Sequence, residues 1–387
     1  MQKMFELAGW QARETSERKI KYLFDMYWEA AMSRRLIVDP NQVKQGIQSN
    51  TYQLKAPPSR IQVRRSLVFA AKMLDREEIG TELLIEKIQP VVLLTKKQKW
   101  AYRLIYGLSL GLSLGLIYGL MFGLGLGLVF GLTTGPSLGL IYTLIYTLIF
   151  GLSLGLVVGL SLGLIFGLSL GLIGGLGTIE PVEAIGISMS RVAGREISKS
   201  IYSNLTSNLI FGLIYYLIYG LIVGPNGNLI HHLISSLISG LIFSLIGGLI
   251  FSLICALKAD IQTRIEPNQG IKNSVKNTLI VTSITLASMV LFKLLIEHVP
   301  AGTVSLVLKN ISGFSTILIW FSFKECGGQA VCQHLALRIV LAANSYAPLR
   351  YDLLLNYCTE RLLLQRIGGR YRFMHKTLQD YFAKQEL

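Results

Sequence analysis

The chain has 387 residues, of which 51% are hydrophobic and only 15% charged, and its net charge is +15. In a soluble protein that basic excess would raise nucleic acid as a partner. Here the cations flank long apolar blocks, which suits cytoplasmic flanks of a membrane protein, and no nucleic acid partner is expected.

The opening segment, MQKMFELAGWQARETSERK, is amphipathic and charged without an apolar centre, so no cleavable signal is expected. Residues 1–100 predict a soluble helical domain. Ile20, Leu23, Phe24, Tyr27, Trp28 and Ala31 recur at the spacing of one helical face. Asp39-Pro40 is expected to end that helix. Ser59 is placed to cap a second helix running through Leu74, and Thr81 to cap a short third one that Pro90 stops. Lys96, Lys97, Lys99 and Arg103, beside Trp100 and Tyr102, read as a basic and aromatic collar at a first membrane crossing.

Residues 101–325 predict the transmembrane region. No Asp, Glu, Lys or Arg occurs from Leu104 through Ile179. An apolar run beyond about 18 residues reads as a membrane span, because a hydrocarbon core of about 30 Å needs about 20 helical residues. Within the run, glycine recurs in tetrads: Gly107, Gly111, Gly115 and Gly119, then Gly151, Gly155, Gly159, Gly163 and Gly167. Thr143 and Thr147 keep the small-residue register between them. Glycine is a poor helix former in water, but lipid forces the backbone to satisfy its own hydrogen bonds. Small-xxx-small faces then let membrane helices approach closely, so these glycines are expected to pack helix on helix. A soluble Gly/Ser linker is excluded because such linkers are not leucine-rich.

Charged connectors, 178–204 and 258–277, divide the region into blocks 101–177, 205–257 and 278–323. The connectors resemble each other: Glu180, Pro181 and Ser188 recur as Glu266, Pro267 and Ser274 at the same spacing, which suggests an internal duplication. Each block is broken near its middle by a glycine–proline turn, so three helical hairpins and about six crossings are expected, with both termini cytoplasmic.

Residues 326–387 return to soluble chemistry. Gln329–Ala343 reads as a helix, and Pro348 opens another running to about Leu364. Gly368-Gly369 marks a hairpin turn, and a last amphipathic helix follows over His375–Ala383. Helix, hairpin and helix make this domain winged-helix-like. The whole is expected to be an all-α integral membrane protein between two small soluble domains.

The tail "YRFMHKTLQDYFA" is similar to the Y-x-F-x-H-x-x-x-Q-E-Y-F-A signature of NACHT winged-helix modules, found in bacterial STAND-type signalling NTPases. "LFDMYWEAAMSRRL", "RRSLVFAAKML" and "TELLIEKIQP" resemble segments that lead from the NTPase core of such proteins into their glycine–leucine membrane region. The family's NTPase needs a Walker A loop, G-x-x-x-x-G-K-[ST], and this sequence contains none. The resemblance therefore implies the membrane-and-tail part of a NACHT protein without its nucleotide-binding engine. That predicts a non-enzymatic module at the bacterial inner membrane, anchoring or relaying a nucleotide-driven change. Its partners would be the lipid bilayer, a NACHT NTPase chain in trans and further copies of itself. No cofactor is expected. By resemblance His375 matches the histidine that contacts ADP in animal relatives, a role that here requires the partner's nucleotide. The competing readings are a transporter or channel, for which the connector repeat speaks, and a truncated gene product.

Other constellations read as structural. Cys326, Cys332 and His334 match no common zinc spacing. His231 and His232 diverge by about 100° on a helix and cannot share a ligand. Lys293 and Glu297 stand i, i+4 near a helix end, a position suited to a snorkelling pair. The four cysteines form no CxxC pair and are expected as free thiols.

Overall fold

The computed structural model describes residues 16–33, 51–52, 57–76, 82–138, 140–174, 176–181, 184–185, 258–259, 266–297 and 315–386, with isolated positions between 210 and 241. The structure is mostly helical. In chain order the described elements are α1 (Ser16–Ser33), α2 (Arg60–Arg76), α3 (Lys96–Leu138), α4 (Leu140–Gly174), β1 (Ala184–Ile185) and β2 (Lys258–Ala259). They continue with α5 (Gln269–Glu297), α6 (Ser315–Glu325), α7 (Gly328–Ala343), α8 (Tyr351–Glu360), β3 (Leu364–Ile367), β4 (Arg370–Phe373) and α9 (Lys376–Ala383). Two compact units result. One holds Met1–Gln98, Gln262–Gln269 and Leu337–Leu387, and the other Lys99–Ile261 and Gly270–Ala336.

In the first unit the two ends of the chain share one core. The apolar face of α1 buries Trp28, Ala31 and Met32, and Trp28 meets Phe382 of α9 edge to face at 5.9 Å. Ser59 caps α2 as its sequence position suggests, its Oγ accepting from the Gln62 amide at 3.2 Å. For the third helix expected before Pro90, the cap Thr81 lies outside the described residues, and over residues 82–89 no α-helix forms. Two single turns of 3₁₀ helix stand there, Ile85–Lys87 and Pro90–Val92. The reason is a long-range pairing: Leu83 exchanges backbone hydrogen bonds with Tyr371 of β4, at 2.6 and 3.0 Å. That bridge fixes extended backbone where a helix would have to begin, and Pro90 stops any helix from developing further.

The β3–β4 hairpin pairs Leu364 with Phe373 and Ile367 with Arg370 across Gly368-Gly369, and Gly368 has the positive φ of 60° that the turn demands. Helix α8 ends at Glu360, short of the expected Leu364, because the chain reverses at Leu362 with φ 60°. The Leu363 amide then bonds back to the Cys358 carbonyl at 3.0 Å, closing the helix end.

Helix α3 opens with a capping box. Thr95 Oγ1 accepts from the Gln98 amide at 3.2 Å while Gln98 Oε1 accepts from the amides of Thr95 and Leu94, at 3.2 and 2.9 Å. The Gln98 side-chain amide, 5% exposed, also donates to Asn344 and Tyr346. Thr95→Ala should therefore cost about 1 kcal/mol, read as faster amide exchange over Leu94–Gln98.

In the second unit α3 and α4 form an antiparallel pair. The chain does not turn at Thr133–Pro136 as the glycine–proline signal suggests, since α3 continues through Pro136 to Leu138. Proline in a last helical turn removes one intrahelical bond only, at an end where carbonyls are already without partners. Lys96–Leu124 and Ile141–Gly174 are long and apolar enough to cross a membrane. They are the two such helices among the described residues, and the block 205–257 lies outside those residues apart from isolated positions. β1 and β2 pair antiparallel, Ala184 with Ala259 and Ile185 with Lys258, which joins one connector to the other.

Candidate functional site

The tetrad glycines face one another along the α3–α4 pair. A methyl added at Gly107 would lie 2.9 Å from the Gly167 carbonyl oxygen, one at Gly111 2.8 Å from that of Gly163, and one at Gly115 2.8 Å from the Leu160 Cα. The partners step by four residues in opposite directions, through Gly119 with Gly155 and Gly123 with Gly151. Seen from α4, hypothetical methyls at Gly155, Gly159, Gly163 and Gly167 would overlap backbone atoms of α3. Backbone therefore touches backbone along the seam, and no side chain, alanine included, fits. A stripe recurring every four residues drifts by roughly 40° per tetrad on a helix of 3.6 residues per turn, so unbroken contact makes the two helices wind around each other.

Toward the turn, Thr147 takes the small-residue position. Its hydroxyl donates within reach of two carbonyls at 2.8 Å, Gly127 on the facing helix and Thr143 on its own. It adds a directional contact to a seam that is otherwise held by shape.

The two helices differ on their other faces. On α3, Tyr102, Tyr106, Leu110 and Leu114 are buried, and Ser113 Oγ lies 3.7 Å from Cys332 Sγ of α7. Next to them Thr278 of α5 donates to the Cys326 carbonyl at 2.9 Å, and Gly327 makes the α6–α7 turn at φ 96°. Helix α4 is open. Ile141 and Tyr142 are each 76% exposed, Val157 65%, Ile165 66% and Ile173 85%. Polar groups on this face satisfy themselves: Ser153, Ser161 and Ser169 donate to the carbonyls four residues earlier, each at 2.8 Å. A core helix of a soluble protein would be covered here. This surface presents no charged side chain to a solvent.

The connector residues are partly placed. Glu180 and Glu266 are exposed, and Pro181 is half-buried. Ser274 is fully buried on α5, donating to the Gly270 carbonyl at 2.9 Å. Ser188 lies outside the described residues, as do His231, His232 and Cys255. Lys293 and Glu297 fall on α5, but their side chains are outside the described set. Cys326, Cys332 and His334 are buried, and no metal-binding cluster occurs among the described residues.

His375 sits at the N-cap of α9 in extended backbone, exposed, and its side chain does not cap the helix. Its carbonyl instead accepts from the Leu378 and Gln379 amides. One fastener of the tail carries no local sequence signal. Arg361, 3% exposed, donates to the carbonyls of Ala31 and Met32 at 3.0 Å each, and its guanidinium lies 4.5 Å over the Tyr357 ring. An arginine in the last turn of a predicted helix is a poor signal by itself, since its targets are some 330 residues away.

Burial shapes the chemistry of this unit. It raises the Cys358 thiol and the Tyr351 phenol well above their usual ranges, so both stay neutral. Burial, reinforced by the hydrogen bond to Asp25 and that carboxylate's charge, pushes Tyr381 up to about 12. A phenol that ionises at 10 in the unfolded chain and near 12 in the folded one favours folding fully below pH 10. That contribution is lost as pH rises from 10 toward 12. The unit formed by the chain ends should accordingly loosen over that window, and Tyr381→Phe should flatten the loss in an alkaline melting series.

Comparison with protein-family models, with curated proteins and with solved structures gave no match.

Proposed function

We propose that the chain is an integral membrane protein that anchors a NACHT-like signalling system, without catalytic activity of its own. The observation that supports this most is the open face of Ile141–Gly174, apolar and free of charge over its whole length. In water that surface would drive aggregation. In a bilayer it is already in its preferred solvent, and the seam of glycines supplies the close packing that membrane helices rely on.

The finer reading adds two elements. The hairpin of α3 and α4 is the first of three, giving six crossings with both termini at the cytoplasmic face of a bacterial inner membrane. The Tyr351–Ala383 segment, a helix, a two-stranded hairpin and a helix, is a winged-helix-like module that receives a nucleotide-binding NACHT chain in trans. In that complex His375, exposed at the start of α9, is free to reach a bound nucleotide. The signature similarity in YRFMHKTLQDYFA motivates this partner.

Two experiments separate the layers. Alkaline carbonate washing of membranes should leave the full chain in the pellet, and its release into the wash would refute the membrane reading. Affinity purification from native membranes through a C-terminal tag should then bring down a chain carrying a Walker A motif. A preparation containing only copies of this chain would refute the NACHT partnership while leaving the anchor standing.

A further inference from the structure

Beside the glycine seam, the hairpin carries an apolar groove of about 570 Å3. Gly159 and Gly163 form its floor, because they contribute no side chain on the way to α3. Tyr118 and Phe122 of α3 wall one side and Leu162 and Phe166 of α4 the other. Trp320 of α6 closes one edge, meeting the Phe166 ring edge to face at 5.4 Å. The volume falls within the several hundred Å3 typical of small-molecule pockets. Ser169 is polar, but its hydroxyl is spent on the Ile165 carbonyl at 2.8 Å.

We propose that this groove binds one acyl chain of a membrane phospholipid. The inference rests on the membrane reading and deepens it. Three features select the occupant. The lining is mostly aromatic and aliphatic and carries no charge, and the Ser169 hydroxyl is already bonded, so a charged ligand would lose its hydration without compensation. The groove is continuous with the open face of α4, since Leu162, Ile165 and Phe166 line it and are themselves 58%, 66% and 45% exposed. Its floor at Gly159 lies near the middle of the Ile141–Gly174 span, at a depth where acyl chains are the surrounding apolar molecules. The tail would lie along α4 beside Trp320, and its headgroup would remain at the interface. A bound chain fills space that two helices in backbone contact leave at their flank.

The test uses the full chain in vesicles of phosphatidylcholine and phosphatidylglycerol, doped with a phospholipid bearing a photoreactive diazirine in one acyl chain. After irradiation the labelled residues are mapped by mass spectrometry. Labelling should concentrate several-fold at Tyr118, Phe166 and Trp320 over Ile141, Tyr142 and Ile149 on the open face. Filling the groove with Leu162→Trp, or independently with Ser169→Phe, should remove the excess while leaving Tyr142 labelled as before. Uniform labelling along α4 would overturn the groove as a site, because bulk lipid alone produces it. Labelling of Tyr142 with none in the groove would overturn it too, and would mean that protein, a second copy included, occupies the space. A chain that takes no label and washes off with carbonate would sink the membrane reading itself, an outcome distinct from the other two.

Discussion

Gly159→Ala should lower the melting temperature of the detergent-solubilised protein measurably, and Gly159→Leu should prevent the α3–α4 hairpin from closing. The added methyl would overlap the Gly119 nitrogen and stand 2.5 Å from its Cα. Both are backbone atoms of a continuous helix, so relief requires moving one helix away from the other. Overpacking of this kind costs typically 1–3 kcal/mol, or roughly 2–4 °C per kcal/mol for a unit of this size. Separation at one tetrad also loosens its neighbours at Gly155 and Gly163, which share the same two helices, so the leucine variant should exceed the alanine one. Gly174→Leu is the control: it introduces a larger side chain at the end of α4, where nothing lies within 4 Å. Gly159→Leu melting within about 2 °C of the parent, with Gly174→Leu alike, would mean that the seam does not hold the hairpin.

The second large effect is expected at Arg361. Replacing it with methionine keeps much of the apolar stem but deletes two charge-assisted hydrogen bonds and the cation over Tyr357. Hydrogen bonds to charged groups contribute about 1.5–3 kcal/mol, and the abandoned carbonyls at the end of α1 lose their partners inside the protein. The loss should show as simultaneous faster amide exchange over Ser16–Ser33 and Tyr351–Ala383. Arg361→Lys should recover only part, because a single ammonium does not reproduce the planar fork or the stacking on tyrosine. Exchange that quickens in the tail while Ser16–Ser33 stays protected would refute the coupling of the two ends through this residue.

Two open readings are weighed differently by these results. A transporter or channel needs polar groups inside the membrane region, and the described seam is glycine backbone with threonine at one end. For an anchor, a close-packed hairpin is sufficient. Between the connectors, β1 and β2 bring together segments that are 74 residues apart between Ala184 and Lys258.

The sequence alone determined the features that repeat or depend on near neighbours. Charge is excluded from every tetrad between Leu104 and Ile179, so the helices and their apolar outer surface follow from composition in any stretch of the run. The glycine stripe likewise shows that something approaches closely, and Gly368-Gly369 shows where the hairpin turns. A capping box at Thr95–Gln98 is equally legible in its T-x-x-Q spacing before the apolar run. Local signals were less able to place helix ends. Pro136 lies inside α3, and the helix expected before Pro90 gave way to a strand bridge, because a tertiary hydrogen bond outweighed a local preference.

Tertiary structure decided which partner each stripe meets. Every tetrad of α3 is chemically almost the same as the next, so sequence cannot say that Gly107 faces Gly167 rather than Gly163, nor that the approaching backbone belongs to the same chain. It also decided that the first and last segments build a single core. Tyr27 donates to the Leu362 carbonyl at 2.6 Å, Tyr351 to that of Ser66 at 3.0 Å, and Arg361 reaches the end of α1. Such contacts are written in no local pattern, because their energy comes from burying polar groups whose partners lie hundreds of residues away. The periodic part of this protein could be read from one tetrad; the aperiodic part existed only once the chain had closed on itself.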